Sequence, residues 1–203
     1  MSHMHWGRKV VIGLGVVFLL LGGCCLIIGW RGSREFHQWQ TAEPVRFSLD
    51  LRAPGKYVAP YKQTCGSAHG TALELQTGIT NAEEALAVLR GVAVIRDTGG
   101  QEVIREEFDG KDLGWASRIG NLQVPAVRLG RFGCGNYNLE LTITEGATGL
   151  TTTNHTLVGR YILCGLERMP AAIMSIAGWL LLFLASLCAV ITFRYLRRRK
   201  QAS

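Results

Sequence analysis

Six cysteines and five histidines are the side chains of this 203-residue sequence best suited to nucleophilic, redox or metal chemistry. Cys65 and His69 stand four apart in the small-residue run Cys65-Gly-Ser-Ala-His-Gly70, and a thiol beside an imidazole is a nucleophile–base or ligand pair. One such pair has no further His or acid at ligand spacing, so the sequence assigns no metal site and no catalytic residue. His5 beside Trp6 reads as an exposed tail. Thioredoxin-like redox enzymes carry Cys-x-x-Cys on a βαβ pattern, and no such spacing occurs here. Gly-x-Ser-x-Gly, the phosphate-binding loop and the dinucleotide fingerprint are missing too. The expectation is a non-enzymatic protein without cofactors.

Cys65, Cys134 and Cys164 fall in the central part of the chain, and Cys24, Cys25 and Cys188 in two apolar runs. Cys65 and Cys134 each sit in a Gly-rich loop at a strand end and are the expected disulfide pair. Closing a loop of about 70 residues contributes roughly 4 kcal/mol in the chain-entropy model. Cys164 is then left over for a free thiol or a bond between chains, and three buried thiols are the alternative. Asp109 and Asp112, in Asp-Gly-Lys-Asp, with Trp115 nearby, are the candidate ligand-binding residues. The acids alone are too few oxygen ligands for a calcium loop, and a lone Trp is more often core than a stacking platform. Asn154-His-Thr156 is a glycosylation sequon, with meaning only in a eukaryotic secretory pathway.

These residues must be positioned by elements that the hydropathy pattern makes plain. Ala171 to Phe193 is a run of 23 residues without a charge. At 1.5 Å per residue it reaches about 34 Å as a helix, enough for a hydrocarbon core of about 30 Å. Arg194, Arg197, Arg198, Arg199 and Lys200 follow it. Val10 to Trp30 is a second uncharged run, of 21 residues and about 31 Å, preceded by Arg8 and Lys9. Both cation clusters read as cytoplasmic anchors facing anionic lipid. The expectation is therefore a two-pass protein of the bacterial inner (plasma) membrane, with residues 1–9 and 194–203 cytoplasmic and the centre periplasmic or extracellular.

The remaining 15 Lys and Arg match the 15 Asp and Glu, so the net charge of +7 resides in the two tails. Basicity of that kind is topological and argues against nucleic acid as a partner. Leu21-Gly-Gly-Cys24 has the form of a lipobox, but the apolar run continues to Trp30, which favours an uncleaved span. Neither run contains an ionisable residue other than cysteine, which disfavours a proton or ion pathway. Cys25 and Gly29, Ala171 and Ser175, and Ala185 and Ala189 are small residues four apart, a spacing that lets helices approach closely. Residues 31–44 read as a juxtamembrane segment, with Trp30 and Trp39 as interfacial anchors.

From Val45 the apolar period becomes two, and residues 45–168 read as a β-sandwich of about eight strands with one short helix. Ala53-Pro-Gly-Lys56 and Thr98-Gly-Gly-Gln101 are turns, the second closing a hairpin. Asn81-Ala-Glu-Glu84 forms a capping box for a helix that Gly91 is expected to end. Asp109–Gly120 reads as irregular, and Pro125 puts the strand that carries it at a sheet edge. Gly55-Lys-Tyr57 and Gly135-Asn-Tyr137 open two strands alike and are similar to strand openings of jelly-roll and carbohydrate-binding-like sandwiches.

The function expected is that of an accessory or scaffolding subunit: membrane lipids, and another membrane protein or a second copy, are the partners. The alternative is an extracytoplasmic ligand-binding sensor working through a separate transducer.

Overall fold

The computed structural model describes residues 3–66, 68–77, 83–117 and 123–201. It is mostly β, with a long apolar helix on either side in the chain, α1 (His3–Thr41) and α3 (Met169–Gln201). Contacts divide it into a helical unit and a β unit, Gln38–Cys164.

In the helical unit the two helices meet along a seam of small residues. Gly15, Gly22 and Gly29 recur every seven positions on α1, and Ala171, Gly178 and Ala185 every seven on α3. That period keeps one face of each helix toward its partner. The pairing is antiparallel. A Cβ built on Gly15 would stand 3.2 Å from Cys188 Cβ, and one on Gly22 3.1 Å from the Gly178 carbonyl oxygen. One on Gly29 would stand 2.9 Å from the Ala171 carbonyl oxygen. Gly22, Gly29, Ala171, Gly178 and Ala185 are buried, while large apolar side chains elsewhere on both helices are exposed.

The β unit holds nine strands among the described residues, one more than the periodicity predicts. They are β1 (Arg46–Leu49), β2 (Gly55–Gln63), β3 (Thr71–Gln76), β4 (Arg90–Arg96) and β5 (Glu102–Asp109). Then come β6 (Gly114–Ser117), β7 (Gln123–Leu129), β8 (Gly135–Glu145) and β9 (His155–Tyr161). One sheet runs β1-β9-β3-β7-β6 and the other β2-β8-β4-β5, every pairing antiparallel and neither sheet closed. Leu73, Leu75 and Leu157 from the first sheet share one core with Ile95, Leu139 and Leu141 from the second. Full burial of each such side chain contributes about 1.5–3 kcal/mol.

The Gly-x-Tyr openings have a common cause. β2 and β8 pair with each other, and in each the tyrosine ring folds back over the glycine two residues earlier, 3.2 Å from where a Cβ would be. Tyr57 then donates to the Asp50 carbonyl at 2.9 Å and Tyr137 to the Gly133 carbonyl at 3.1 Å.

Three local expectations are corrected. Gly91 ends no helix: α2 is the single turn Glu83–Leu86, and Gly91 lies in β4 opposite Phe108, whose ring fills the space a side chain would need. Residues 109–117 are ordered as a 3-10 turn, Gly110–Asp112, followed by β6. β7 is not an edge strand. It pairs with β3 only from Ala126 onward, so Pro125 sits past the end of that ladder, and its missing N–H interrupts no β3 bond. Asn81 and Ala82 of the capping box, Leu122, and residues 118–120 lie outside the described residues.

Candidate functional site

The hairpin β4–β5 and the turn after it build an open groove of about 990 Å³. Arg90 opens β4 and Asp109 closes β5, cross-strand partners in the ladder, so their side chains emerge together at the rim. Asp112 comes from the 3-10 turn, Phe108 from β5 and Arg128 from β7. Gly110 allows this turn to sit against α2. Its N–H donates to the Leu89 carbonyl at 2.6 Å, and a Cβ there would collide with the Leu86 carbonyl. The groove thus brings the sequence-predicted Asp109 and Asp112 together. Trp115 is placed by its backbone on β6, opposite Pro125; its side chain lies outside the described residues.

The electrostatics restrict what the groove can do. Asp109 accepts the Lys111 amide at 3.1 Å and Arg90 Nε at 3.1 Å. The amide bond first, and then the guanidinium charge, hold its carboxyl below the usual carboxylate range. Arg90 also lies 3.6 Å from Glu145. Asp109 is therefore committed to its neighbours, and the acidic pair forms no three-ligand cation cluster among the described residues. The lining mixes Arg90 and Arg128 with Glu107, Asp109 and Asp112, which suits a polar ligand bearing both donors and acceptors.

The expected disulfide is not formed: among the described residues no cysteine pair lies at bonding distance. Cys65 turns inward, fully buried with Ala68 and Tyr161 in a small cluster against which Trp39 and Leu163 pack. Cys134 turns outward to solvent and donates to the Thr64 carbonyl, Sγ–O 3.7 Å. The two residues are on neighbouring backbone but their side chains diverge, which sequence spacing cannot reveal. The imidazole next in sequence to Cys65 is directed elsewhere: His69 Nε2 lies 3.0 Å from the sulfur of Cys164. Backbone bonds hold the pair in place, His69 N–H to the Ile162 carbonyl at 2.9 Å and Ile162 N–H to the Gly70 carbonyl at 3.0 Å. Gly70 takes φ of +139°, left-handed backbone that favours glycine, and a side chain there would meet the Leu129 carbonyl. Sequence reasoning missed this pair because 95 residues separate its members.

Of the small residues singled out on the helices, Gly29, Ala171 and Ser175 meet one another, and Ala185 is buried on the same seam. Cys25 is half-buried and Ala189 is exposed. Gly15, Gly22 and Gly178 escaped the four-residue pattern; a search at a period of seven finds them. Trp30 is exposed, with the Arg34 guanidinium 5.7 Å from the ring centre, a cation–π contact. Arg194 and Arg197 are exposed on α3, while the side chains of Arg198, Arg199 and Lys200 lie outside the described residues.

Two buried polar groups also lacked a sequence signal. Glu74 on β3 is 2% exposed, with Arg160 Nε 3.4 Å away, and Arg160 reaches Glu43 at 2.9 Å. His155 is 1% exposed at the start of β9, its Nδ1 accepting from the Leu51 amide at 3.5 Å and its Nε2 3.0 Å from Thr152 Oγ1. Both read as parts of the scaffold.

No protein-family model and no curated protein matches the chain.

Proposed function

We propose that this protein is a two-pass membrane protein whose helical hairpin holds a β-sandwich at the extracytoplasmic side, where it serves as an accessory or interaction subunit of a membrane complex. One observation carries the reading. Apart from the glycine seam, α1 and α3 expose Leu20, Ile28, Trp179, Phe183 and Phe193 at 53–67% of their surface. In water each such side chain forgoes about 1.5–3 kcal/mol of burial, whereas lipid solvates them all. Both helices are long enough to span, and cations flank the runs on the sides that would face the cytoplasm. The seam is consumed within the chain, so a partner would meet the sandwich or the outer helix faces.

The test is thiol labelling of intact cells with an impermeant reagent, using Thr98→Cys and Lys200→Cys in a chain whose native cysteines are serine. Labelling at position 98 and protection at position 200 support the topology; the reverse pattern refutes it. Purification in mild detergent then addresses the role, since a chain recovered only as a lone monomer contradicts an accessory subunit.

A second reading rests on the groove beside Asp109 and Asp112, which would admit a small polar ligand and make the domain a sensor acting through a separate transducer. Thermal-shift screening against sugars and metals tests it. No shift with the wild type, or one that Asp112→Ala leaves untouched, removes this reading.

A further inference from the structure

We propose that Cys164 is a modification site: a base-assisted thiol that exchanges with small disulfides to carry a mixed disulfide. The inference stands on the His69–Cys164 geometry and does not depend on which partner or ligand the domain recognises.

Three features carry it. First, the thiol and the imidazole are already at proton-transfer distance, Nε2 to Sγ 3.0 Å, on backbone fixed by reciprocal hydrogen bonds between residues 69–70 and residue 162. Little ordering remains to be done at the moment of reaction. Second, both side chains are exposed, so a co-reactant reaches the sulfur without opening the fold. Third, the chain supplies its own comparison. Cys134 is exposed as well, but its sulfur faces the Thr64 carbonyl, which accepts a hydrogen bond and cannot take up a proton at neutral pH. Cys65 is buried and shielded.

The step balances with a low-molecular-weight disulfide as the named co-reactant. His69 Nε2, in the tautomer with its proton on Nδ1, takes the Cys164 proton as Sγ attacks one sulfur of the disulfide. The new S–S bond forms as the old one breaks, and the departing thiolate receives the proton from His69. Cys164 is oxidised to the mixed disulfide, and the other half of the co-reactant leaves as a reduced thiol. Exposed thiols persist poorly on the oxidising side of a membrane, and a cap on Cys164 would be reversible by any thiol reductant.

The experiment treats the full-length protein in detergent with glutathione disulfide at pH 7 and follows the mass gain at Cys164 and Cys134 by peptide mapping. General-base assistance supplies about 10²–10⁴-fold in favourable geometry, and an exposed pair is expected to give at least about tenfold faster capture at Cys164. His69→Ala and His69→Gln are expected to bring Cys164 down to the rate of Cys134, and Cys164→Ser to abolish the faster phase. Equal rates at the two cysteines in the wild type overturn the proposal, even if the His69 variants fail to fold. A folded His69 variant that keeps the fast phase overturns it too.

Discussion

Replacing Gly15 with cysteine tests the pairing of the two helices at a single atom's resolution. In a chain retaining only Cys188 among its native cysteines, Gly15→Cys is expected to form a disulfide with Cys188. A Cβ at Gly15 stands 3.2 Å from Cys188 Cβ, and disulfides place these atoms about 3.5–4.5 Å apart, so the helices must yield by only about 0.3 Å. Gly13→Cys is the control, since a Cβ there meets nothing within 4 Å. A second substitution, Gly178→Leu, should then weaken the bond's formation. Its Cβ alone would be 2.7 Å from Leu26 Cγ and 3.0 Å from the Gly22 carbonyl oxygen. Carbons rest about 3.5–4.0 Å apart, so the helices must part by about 1 Å, and such a gap forfeits about a quarter to a half of each dispersion contact. In lipid, the setting proposed above for these helices, no hydrophobic drive would restore them. Overpacking costs about 1–3 kcal/mol, which at tenfold per 1.4 kcal/mol lowers the paired population about 5- to 140-fold. The assay is copper-phenanthroline oxidation in native membranes, read as the mass shift after alkylation of the remaining thiols. Equal crosslinking from positions 13 and 15, or a yield that Gly178→Leu leaves unchanged, refutes the seam.

Two further outcomes concern the β unit. Burial disfavours the charged imidazole of His155, more than Asp50 restores it, so its folded value lies below the ordinary 6.5. The unfolded chain therefore binds more protons as pH falls through about 6.5, and the stability His155 contributes, complete above that value, drains away below it. His155→Gln should flatten this part of a pH–stability profile, while Asp50, held low chiefly by the Arg52 amide, adds its own loss only at more acidic pH. Gly110→Ala forces a Cβ onto the Leu86 carbonyl and should cost at least about 1–3 kcal/mol. Faster hydrogen exchange along β4 and β5 in the full chain is the readout, and unchanged exchange refutes the packing at the groove.

Much of the architecture is visible in residue types alone. Uncharged runs at 10–30 and 171–193 dictate two long helices, because 20 or so apolar residues in a row leave a chain no polar face to present to water. Alternation through Val45–Leu51 and Leu139–Ile143 dictates strands with one buried face, and Thr98-Gly-Gly-Gln101 dictates the hairpin that joins β4 to β5. Only the tertiary structure decides what local pattern does not encode. Which strand lies beside which was not legible, so Pro125 sits on an inner strand beyond the reach of β3. Nor was side-chain direction at a loop legible: Cys65 points inward and Cys134 outward, although their backbones are neighbours. His69 meets Cys164 across 95 residues, and Gly22 meets Gly178 across the turn of the whole chain. Spacing along the chain fixes which face of one element a residue shares with its neighbours. What that face touches is settled only when distant segments compete to bury it, and the winner is chosen by packing.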